Sequence, residues 1–475
     1  MSISLCTLLE GIVSDPPDQV VSGLSLDSRK VRPGDLFFAF SGQKTNGAKF
    51  IDEALSKGAV AVLEESVVNR FQIGQIASRF YQHPSHHLTI VGVTGTNGKT
   101  TITHLVAQAL EGTGHACAVA GTLGTGRLGE LAPATHTTPD AISLQSLFAG
   151  FANCKMRFVA MEVSSHALDQ GRVEGTQFHS AIFTNLTRDH LDYHGDMQAY
   201  GLAKKRLFHF PNLQHAIINV EDSFGEVLVR DLPSGVRPIR YGLSPVGTDI
   251  FASNLRFSGQ GLHMEVQTPV GSGILNSPLL GRFNAYNLLA ALSALLTLKI
   301  PLEKALDGLS KAGAPPGRME LFGGGNHTPK VVVDFAHTPD ALEQALTTLR
   351  EHATGQLWCV FGCGGERDKG KRAAMGTTAE RFADQVVLTH DNPRNENPTT
   401  ILENILSGMS FPKRVSVIPG RAEAIRHAIL TAKPDDIVLL AGKGHENCQQ
   451  IGKTCYPFSD RIEVQNVLKL LENAP

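Results

Sequence analysis

Short apolar runs punctuate this chain, and most of them stop at a loop carrying glycine or charge. "LTIVGV", "RFVAMEV", "SAIFTNL" and "HAIINVED" fall in the middle of the sequence, with helical periodicity between several of them. Toward the end come "KVVVDFAHTPD", "LWCVFGCGGERDKGKR", "QVVLTHDNPR" and "DDIVLLAGKGHE". Strand, loop and helix in repetition predict mostly parallel sheets with ligands at the carboxyl ends of the strands.

The opening segment reads differently. "LSLDSRKVRPGDLFFAF" predicts a strand, a turn at Pro33-Gly34 and a second strand. A helix is expected over residues 47–57, followed by the strand "AVAVLEE". "YQHPSHH" reads as a linker. The expectation is an α/β chain of three domains. A small α/β domain covers residues 1–86, a central phosphate-loop ATPase-type domain with a mostly parallel sheet covers 87–316, and a Rossmann-like α/β domain covers 317–475.

Composition agrees: 475 residues are too many for one ordinary core, and the length suggests about three domains. The 42% hydrophobic and 19% charged content is that of a soluble globular protein. A net charge of −2 gives no global field that favours nucleic acid or an anionic membrane, so neither is expected as a partner. Anionic ligands must then be held by local groups. Seven scattered cysteines, at 6, 117, 154, 359, 363, 448 and 455, form no C-x-x-C pair and are expected as reduced thiols in a cytoplasmic protein. The first residues lack a basic region and include Glu10, so they do not read as a signal peptide. No apolar run is long enough to span a bilayer.

"GVTGTNGKTT" sits between a strand and a helix, where a phosphate loop belongs. Glycines let backbone N–H groups close around phosphate oxygens, Lys99 brings a point charge, and the helix start adds its dipole. Thr100 can place its hydroxyl on Mg2+. The ordinary loop has four residues between its first glycine and Gly-Lys. Here five separate Gly92 from Gly98, and two separate Gly95 from it. Gly95, Thr96, Asn97, Gly98, Lys99, Thr100 and Thr101 are the expected phosphate contacts. Glu162 ends the strand "RFVAME", where a nucleotide-binding fold puts a metal ligand, although an acid there can also simply solvate a strand end.

The form "GTNGKTT" is that found in Mur ligases and folylpolyglutamate synthases, and "NLTRDHLDYHGDMQAYGLAKKRLF" resembles the central domain of Mur ligases closely. That resemblance implies that His190 binds a second Mg2+ and that Lys204 is carbamylated. A neutral amine that adds CO2 becomes an anionic oxygen ligand of the kind a hard cation prefers. Adjacent Lys205 leaves the choice of lysine ambiguous on the residues alone; alignment of "Y-x-x-A-K" puts it at Lys204. By the same resemblance Asn284 and Asn287 lie near the adenine, while Arg318 and Asp334 bring the third domain to ATP as the domains close. A helix cap with an interior polar residue would explain the two asparagines as well.

The family pattern places a nucleotide-sugar peptide against Thr137, Thr138, Ser164, Gln170 and Arg172. Ser28 and the loop Gln43-Lys44-Thr45 correspond to contacts with its uridine end. Loop hydroxyls more often stabilise turns than bind ligands, and His136 stands where some relatives carry Asn, so these positions rest on the resemblance.

"DNPR", Asp391-Asn392-Pro393-Arg394, marks the family members that add meso-diaminopimelate. Diaminopimelate carries a distal carboxylate where lysine has only hydrogen, and a guanidinium can hold it with two parallel bonds. Leaving that arginine unpaired should cost roughly 1–3 kcal/mol or more. By the same resemblance Arg367, Gly442 and Glu446 are expected to complete the pocket, with Glu446 suited to the distal ammonium.

The expected chemistry is phosphorylation of a free D-glutamyl carboxylate of UDP-N-acetylmuramoyl-L-alanyl-D-glutamate by ATP with Mg2+, then attack by the diaminopimelate amine. Lys99, Lys204, His190 and Arg318 are the expected catalytic groups, acting in a monomer. The rivals are a lysine-adding ligase, which Arg394 opposes, and a phosphate-loop ATPase that turns over ATP with neither organic substrate.

Overall fold

The computed structural model describes residues 2–41, 46–325 and 327–472. Gln43, Lys44 and Thr45, expected at the uridine end, lie outside the described residues. The chain divides into two compact units. One comprises Met1–Phe251, Gln267–Gly271 and Tyr286–Gly308; the other comprises Ala252–Val266, Ser272–Ala285 and Leu309–Pro475.

The first unit begins with a three-stranded parallel sheet in the order β1 (Gly23–Ser25), β2 (Asp35–Ala39), β3 (Ala61–Glu64). All of β2 is buried, which is why "DLFFA" carries so little polar character. The helix predicted over 47–57 is a 3-10 turn, Gly47–Phe50, that runs into the α-helix Ile51–Ser56. A further helix, Arg70–Phe80, opens on a reciprocal cap between Asn69 and Gln72 and buries Ile73, Ile76, Ala77 and Phe80. It packs so closely against a later segment of the same unit that a Cβ on Gly74 would collide with the Glu174 carbonyl. "YQHPSHH" is no slack linker: His83 is left-handed at φ +54, bonds Ser78 Oγ at 3.2 Å, and leads into a 3-10 turn with Pro84 and Ser85 buried. Periodicity gives no sign of this, because the anchors are single polar contacts.

Seven strands of a ten-stranded sheet lie in this unit: β4 (Thr89–Thr94), β5 (Cys117–Gly121), β6 (Gly124–Arg127), β7 (Phe158–Glu162), β8 (Ser180–Phe183), β9 (His215–Asn219) and β10 (Arg237–Gly242). Their order is β10-β9-β8-β4-β7-β5-β6, parallel throughout except for the β5–β6 hairpin. β4 is central, and the chain leaves it first toward β5 and later returns to β8 on its other side. That reversal puts the loop after β4 at a switch point, where open α/β sheets bind ligands. The core beneath it includes Phe148, Met161, Phe178 and Phe183, all essentially solvent-free. The strands Ile250–Ser258, Gly261–Thr268 and Gly271–Ser277 follow; their polar, partly exposed sequences give no clean strand signal.

The second unit holds β11 (Glu320–Gly323), β12 (Lys330–Asp334), β13 (Leu357–Phe361), β14 (Gln385–Leu388), β15 (Ser416–Val417) and β16 (Ile437–Ala441). They stand in the order β11-β12-β16-β13-β14-β15, with only β11 antiparallel. Both faces of this sheet are covered by apolar clusters, one around Leu346, Cys359 and Leu439, the other around Val331, Val360 and Leu440. Full burial explains the unbroken apolar runs.

One expectation about the thiols is overturned. Cys448 and Cys455 form a disulfide across the hairpin of Cys448–Ile451 with Thr454–Pro457, whose pairing brings their Cα atoms to 5.8 Å. A spacing of seven is no metal signature, so only the hairpin brings the pair together. Cys6, Cys117, Cys154, Cys359 and Cys363 are free thiols. Among the described residues, no helix is long and apolar enough to cross a membrane.

Candidate active site

The glycine loop leaves β4 and enters the helix Lys99–Gly112. Gly95 at φ +148 and Gly98 at φ +91 occupy backbone space that side chains avoid, and a Cβ on either would strike Thr184 or Asn287 respectively. The loop is braced from the end of β8: Thr96 N–H donates to the Asn185 carbonyl, Asn97 N–H to Asn185 Oδ1, and Thr184 Oγ1 to the Asn97 carbonyl. Sequence reasoning missed both braces, although Asn185 opens the quoted "NLTRDH". Lys99 Nζ folds back to the Gly95 and Thr96 carbonyls at 2.9 Å each, and Thr101 follows in the first helical turn.

Glu162 is buried at the end of β7 and accepts a bond from Thr100 Oγ1 at 3.0 Å. Thr122, which sequence reasoning did not single out, holds the same carboxylate through its N–H at 2.8 Å and its hydroxyl at 3.2 Å. Hydroxyl and carboxylate thus stand together as a pair of hard oxygen donors of the kind Mg2+ prefers. The described residues contain no cluster of three His, Cys, Asp or Glu side chains able to cage a metal. This donor set fits Mg2+, which keeps waters and phosphate oxygens, better than a metal held by protein alone.

Lys204 is buried on the helix Met197–Lys205. Its Nζ donates to the Gly95 carbonyl at 2.9 Å and lies 4.3 Å from the Tyr200 ring centre. Burial, reinforced by the Lys99 charge, holds its amine well below the usual lysine range. Lys205, the competing candidate, pairs instead with Asp231 at 2.6 Å. His190, left-handed at φ +54, has its ring 6.1 Å from that of Tyr200. Tyr200 therefore stands beside both Lys204 and His190, and its hydroxyl lies 3.2 Å from Thr96 Oγ1.

From Glu162 a polar network runs outward. Thr137 Oγ1 meets Thr122 Oγ1 at 3.1 Å, and Thr138 Oγ1 donates to the Glu162 carbonyl at 2.9 Å and accepts from Ser164 N–H at 3.1 Å. Arg172 donates twice to Gln170 Oε1 and once to the Thr138 carbonyl. The five residues expected at the peptide thus belong to one hydrogen-bonded network. Ser28 is not part of it: its hydroxyl donates to Glu53 Oε2 at 2.7 Å. Asn287 lies against Gly98, whereas Asn284, one turn earlier on the helix Arg282–Thr297, is buried and donates to the Leu280 carbonyl.

In the second unit Asp334 ends β12 and accepts N–H bonds from Met319 at 2.7 Å and Ala336 at 2.8 Å. Burial raises its carboxyl despite the nearby Arg318 charge. The Arg318 guanidinium stacks over Phe335 at 5.1 Å, and its buried Nε has no hydrogen-bond partner among the described residues.

The DNPR segment follows β14. Arg394, left-handed at φ +51, sends Nη1 to the Gly365 carbonyl at 2.8 Å, and Gly365 N–H bonds the Asn392 carbonyl at 2.9 Å. A Cβ on Gly364 would contact both Arg394 Nη1 and Arg367 Cγ, so the two arginines flank this glycine. Arg367 is exposed. A Cβ on Gly365 would collide with the Pro393 carbonyl. Gly442, at φ +113, abuts the Asp391 carboxylate, which burial raises. Glu446 accepts from Asn392 Nδ2 at 2.8 Å. Two arginines and one carboxylate on a shared scaffold suit a ligand bearing both a carboxylate and an ammonium.

The chain matches three family models: the Mur ligase family catalytic domain over residues 20–88, the Mur ligase middle domain over 93–295, and the Mur ligase glutamate ligase domain over 317–444. It is 47% identical to the UDP-N-acetylmuramoyl-L-alanyl-D-glutamate–2,6-diaminopimelate ligase of Coxiella burnetii, with 95% of this chain and 96% of that one aligned. The enzyme of the same name from Pseudomonas aeruginosa is also 47% identical, over 96% of each chain. A solved structure of a ligase with that name superposes with a TM-score of 0.78 at 38% identity, covering all of both chains. The fold alone is shared with the MurF ligase of Thermotoga maritima solved with ADP, at 19% identity and a TM-score of 0.62 over 94% of this chain and 96% of that one. With its three-domain α/β fold and these matches, the chain belongs to the Mur ligase family.

Proposed function

We propose that this chain adds meso-diaminopimelate to UDP-N-acetylmuramoyl-L-alanyl-D-glutamate at the expense of ATP, giving the tripeptide precursor of peptidoglycan, ADP and phosphate. The observation that carries the reading is the flanking of Gly364 by Arg367 and Arg394, with Glu446 held on the Asn392 amide. The distal carboxylate of diaminopimelate pairs with the guanidinium groups and its distal ammonium with Glu446.

The loop from Gly95 to Thr101 cradles the nucleotide phosphates, and Lys99 turns from its carbonyl partners toward the transferred phosphoryl group. Thr100 and Glu162 would hold Mg2+, and His190 with Lys204 a second ion; bound there, the ions would neutralise charge between the phosphoryl donor and the attacking carboxylate. Lys204 serves as a carbamate: its neutral amine adds to CO2 and releases a proton, leaving a carboxylate oxygen in place of an ammonium. Thr137, Thr138, Ser164, Gln170 and Arg172 orient the muramoyl peptide, Ser28 and the 43–45 loop its uridine end, Asn284 and Asn287 the adenine, and Arg318 and Asp334 the phosphate end. The three domains take the boundaries 1–86, 87–316 and 317–475, and the enzyme works as a cytoplasmic monomer.

Phosphate release with ATP, Mg2+ and the muramoyl dipeptide tests this, comparing meso-diaminopimelate with L-lysine. Strong stimulation by diaminopimelate alone is expected. Stimulation by lysine would overturn the pocket, and release needing neither organic substrate would overturn the ligase.

A further inference from the structure

Lys443 lies in the loop after β16, three residues before Glu446, and its side chain is fully enclosed. An ammonium has three N–H donors. Here each has an acceptor: Asn392 Oδ1 at 3.0 Å, Glu446 Oε2 at 2.9 Å and the Cys448 carbonyl at 2.7 Å. The acceptors come from the DNPR segment, the loop after β16 and the start of the disulfide-closed hairpin. Asn392 completes a ring, since its Nδ2 donates to the same Glu446 oxygen and its Oδ1 also accepts from Gln450 N–H at 2.9 Å.

Burying an ammonium is costly unless every donor is paired, and apolar side chains commonly fill such a space at less cost. A lysine here is therefore better explained by what it orients than by the stability it confers. Both side-chain bonds to Glu446 fall on Oε2, which restrains the carboxylate and leaves Oε1 outside this network.

We propose that Lys443 is the positioning residue that sets this pocket's preference for an incoming amino acid with a second ammonium group. It does so by locking Glu446 and Asn392 into one network, so that Glu446 meets the distal ammonium in a fixed pose. The inference rests on the placement of Glu446 in the amino-acid pocket.

The test compares meso-diaminopimelate with 2-aminopimelate, which keeps both carboxylates and lacks the second amine, using the full-length enzyme. In Lys443→Met the KM for diaminopimelate should rise about tenfold or more. kcat and the KM values for ATP and the muramoyl dipeptide should hold within about twofold, and the preference over 2-aminopimelate should shrink accordingly. Lys443→Gln, which keeps a donor, should fall between Lys443→Met and the parent. The double variant Lys443→Met with Glu446→Gln should lose no more preference than Glu446→Gln alone, because Lys443 acts through Glu446. Unchanged preference in both Lys443 variants, or additive losses in the double variant, would overturn the proposal. If Glu446→Gln also keeps the full preference, the pocket assignment itself fails; if it loses preference while Lys443→Met does not, only the role of Lys443 fails. Lys443→Gln and the charge-neutral double variant provide the readout if Lys443→Met does not fold.

Discussion

Lys99 and Lys204 share an acceptor: both Nζ atoms donate to the Gly95 carbonyl, each at 2.9 Å. Two ammonium groups on one oxygen repel; burial, and after it the Lys99 charge, lowers the Lys204 amine well below the usual lysine range. Lys204→Ala should lose at least about a hundredfold in kcat, with partial recovery on adding formate or acetate. Full activity without rescue would remove Lys204 from the metal site. Intact-protein mass measured without acid exposure should show an added 44 Da, about the mass of CO2, on the parent enzyme but not on the variant.

Arg394→Ala should raise the KM for diaminopimelate by about ten- to a hundredfold, consistent with about 1–3 kcal/mol for a lost charge-paired bond. The KM for ATP should scarcely move. Equal effects on both would point to a folding defect.

Glu162→Gln removes the charge that Thr100 and Thr122 hold in place. Steady-state assays across Mg2+ concentrations should show the activation midpoint moving to about tenfold higher metal. An unmoved midpoint would make Glu162 a structural acid.

His104 is buried in the helix that follows the phosphate loop, and burial pushes its imidazole down to about 4. The folded state thus resists a proton that the unfolded chain accepts near 6.5, so stability falls as pH drops through 6.5 toward 4. Between pH 7 and pH 5 this group should remove about 2 kcal/mol. Denaturant melts of His104→Gln should show a pH dependence smaller by that amount; identical slopes would refute the assignment.

Thiol titration of the denatured, unreduced protein should find Cys6, Cys117, Cys154, Cys359 and Cys363 reactive, with Cys448 and Cys455 appearing only after reduction. Seven reactive thiols before reduction would show the bridge to be absent in solution.

Features written in contiguous sequence were the legible ones. The loop at Gly95–Thr101, the acid ending β7 and the DNPR segment after β14 each sit at the carboxyl end of a strand whose apolar run announces it. What escaped depends on distant partners. Thr122 reaches Glu162 across forty residues of chain, Asn185 braces a loop some ninety residues earlier, and Cys448 finds Cys455 only because a hairpin turns between them. The strands over 250–277 escaped for another reason: with much of their length exposed, they lack the apolar density that marks the buried strands. Lys443 was in plain view in "AGKGHE", but a lysine beside glycines carries no sign of being buried until its three acceptors are known.

Arg394 is held at its backbone as well as its side chain, with its N–H on the Gln450 carbonyl and its own carbonyl accepting from Gly452 N–H at 2.7 Å. The tetrapeptide is thus half of a short bridge whose other half lies more than fifty residues downstream. Transplanting DNPR into a lysine-adding scaffold would move the letters without the splint. An exchange of specificity between two such ligases has to carry both segments as one cassette.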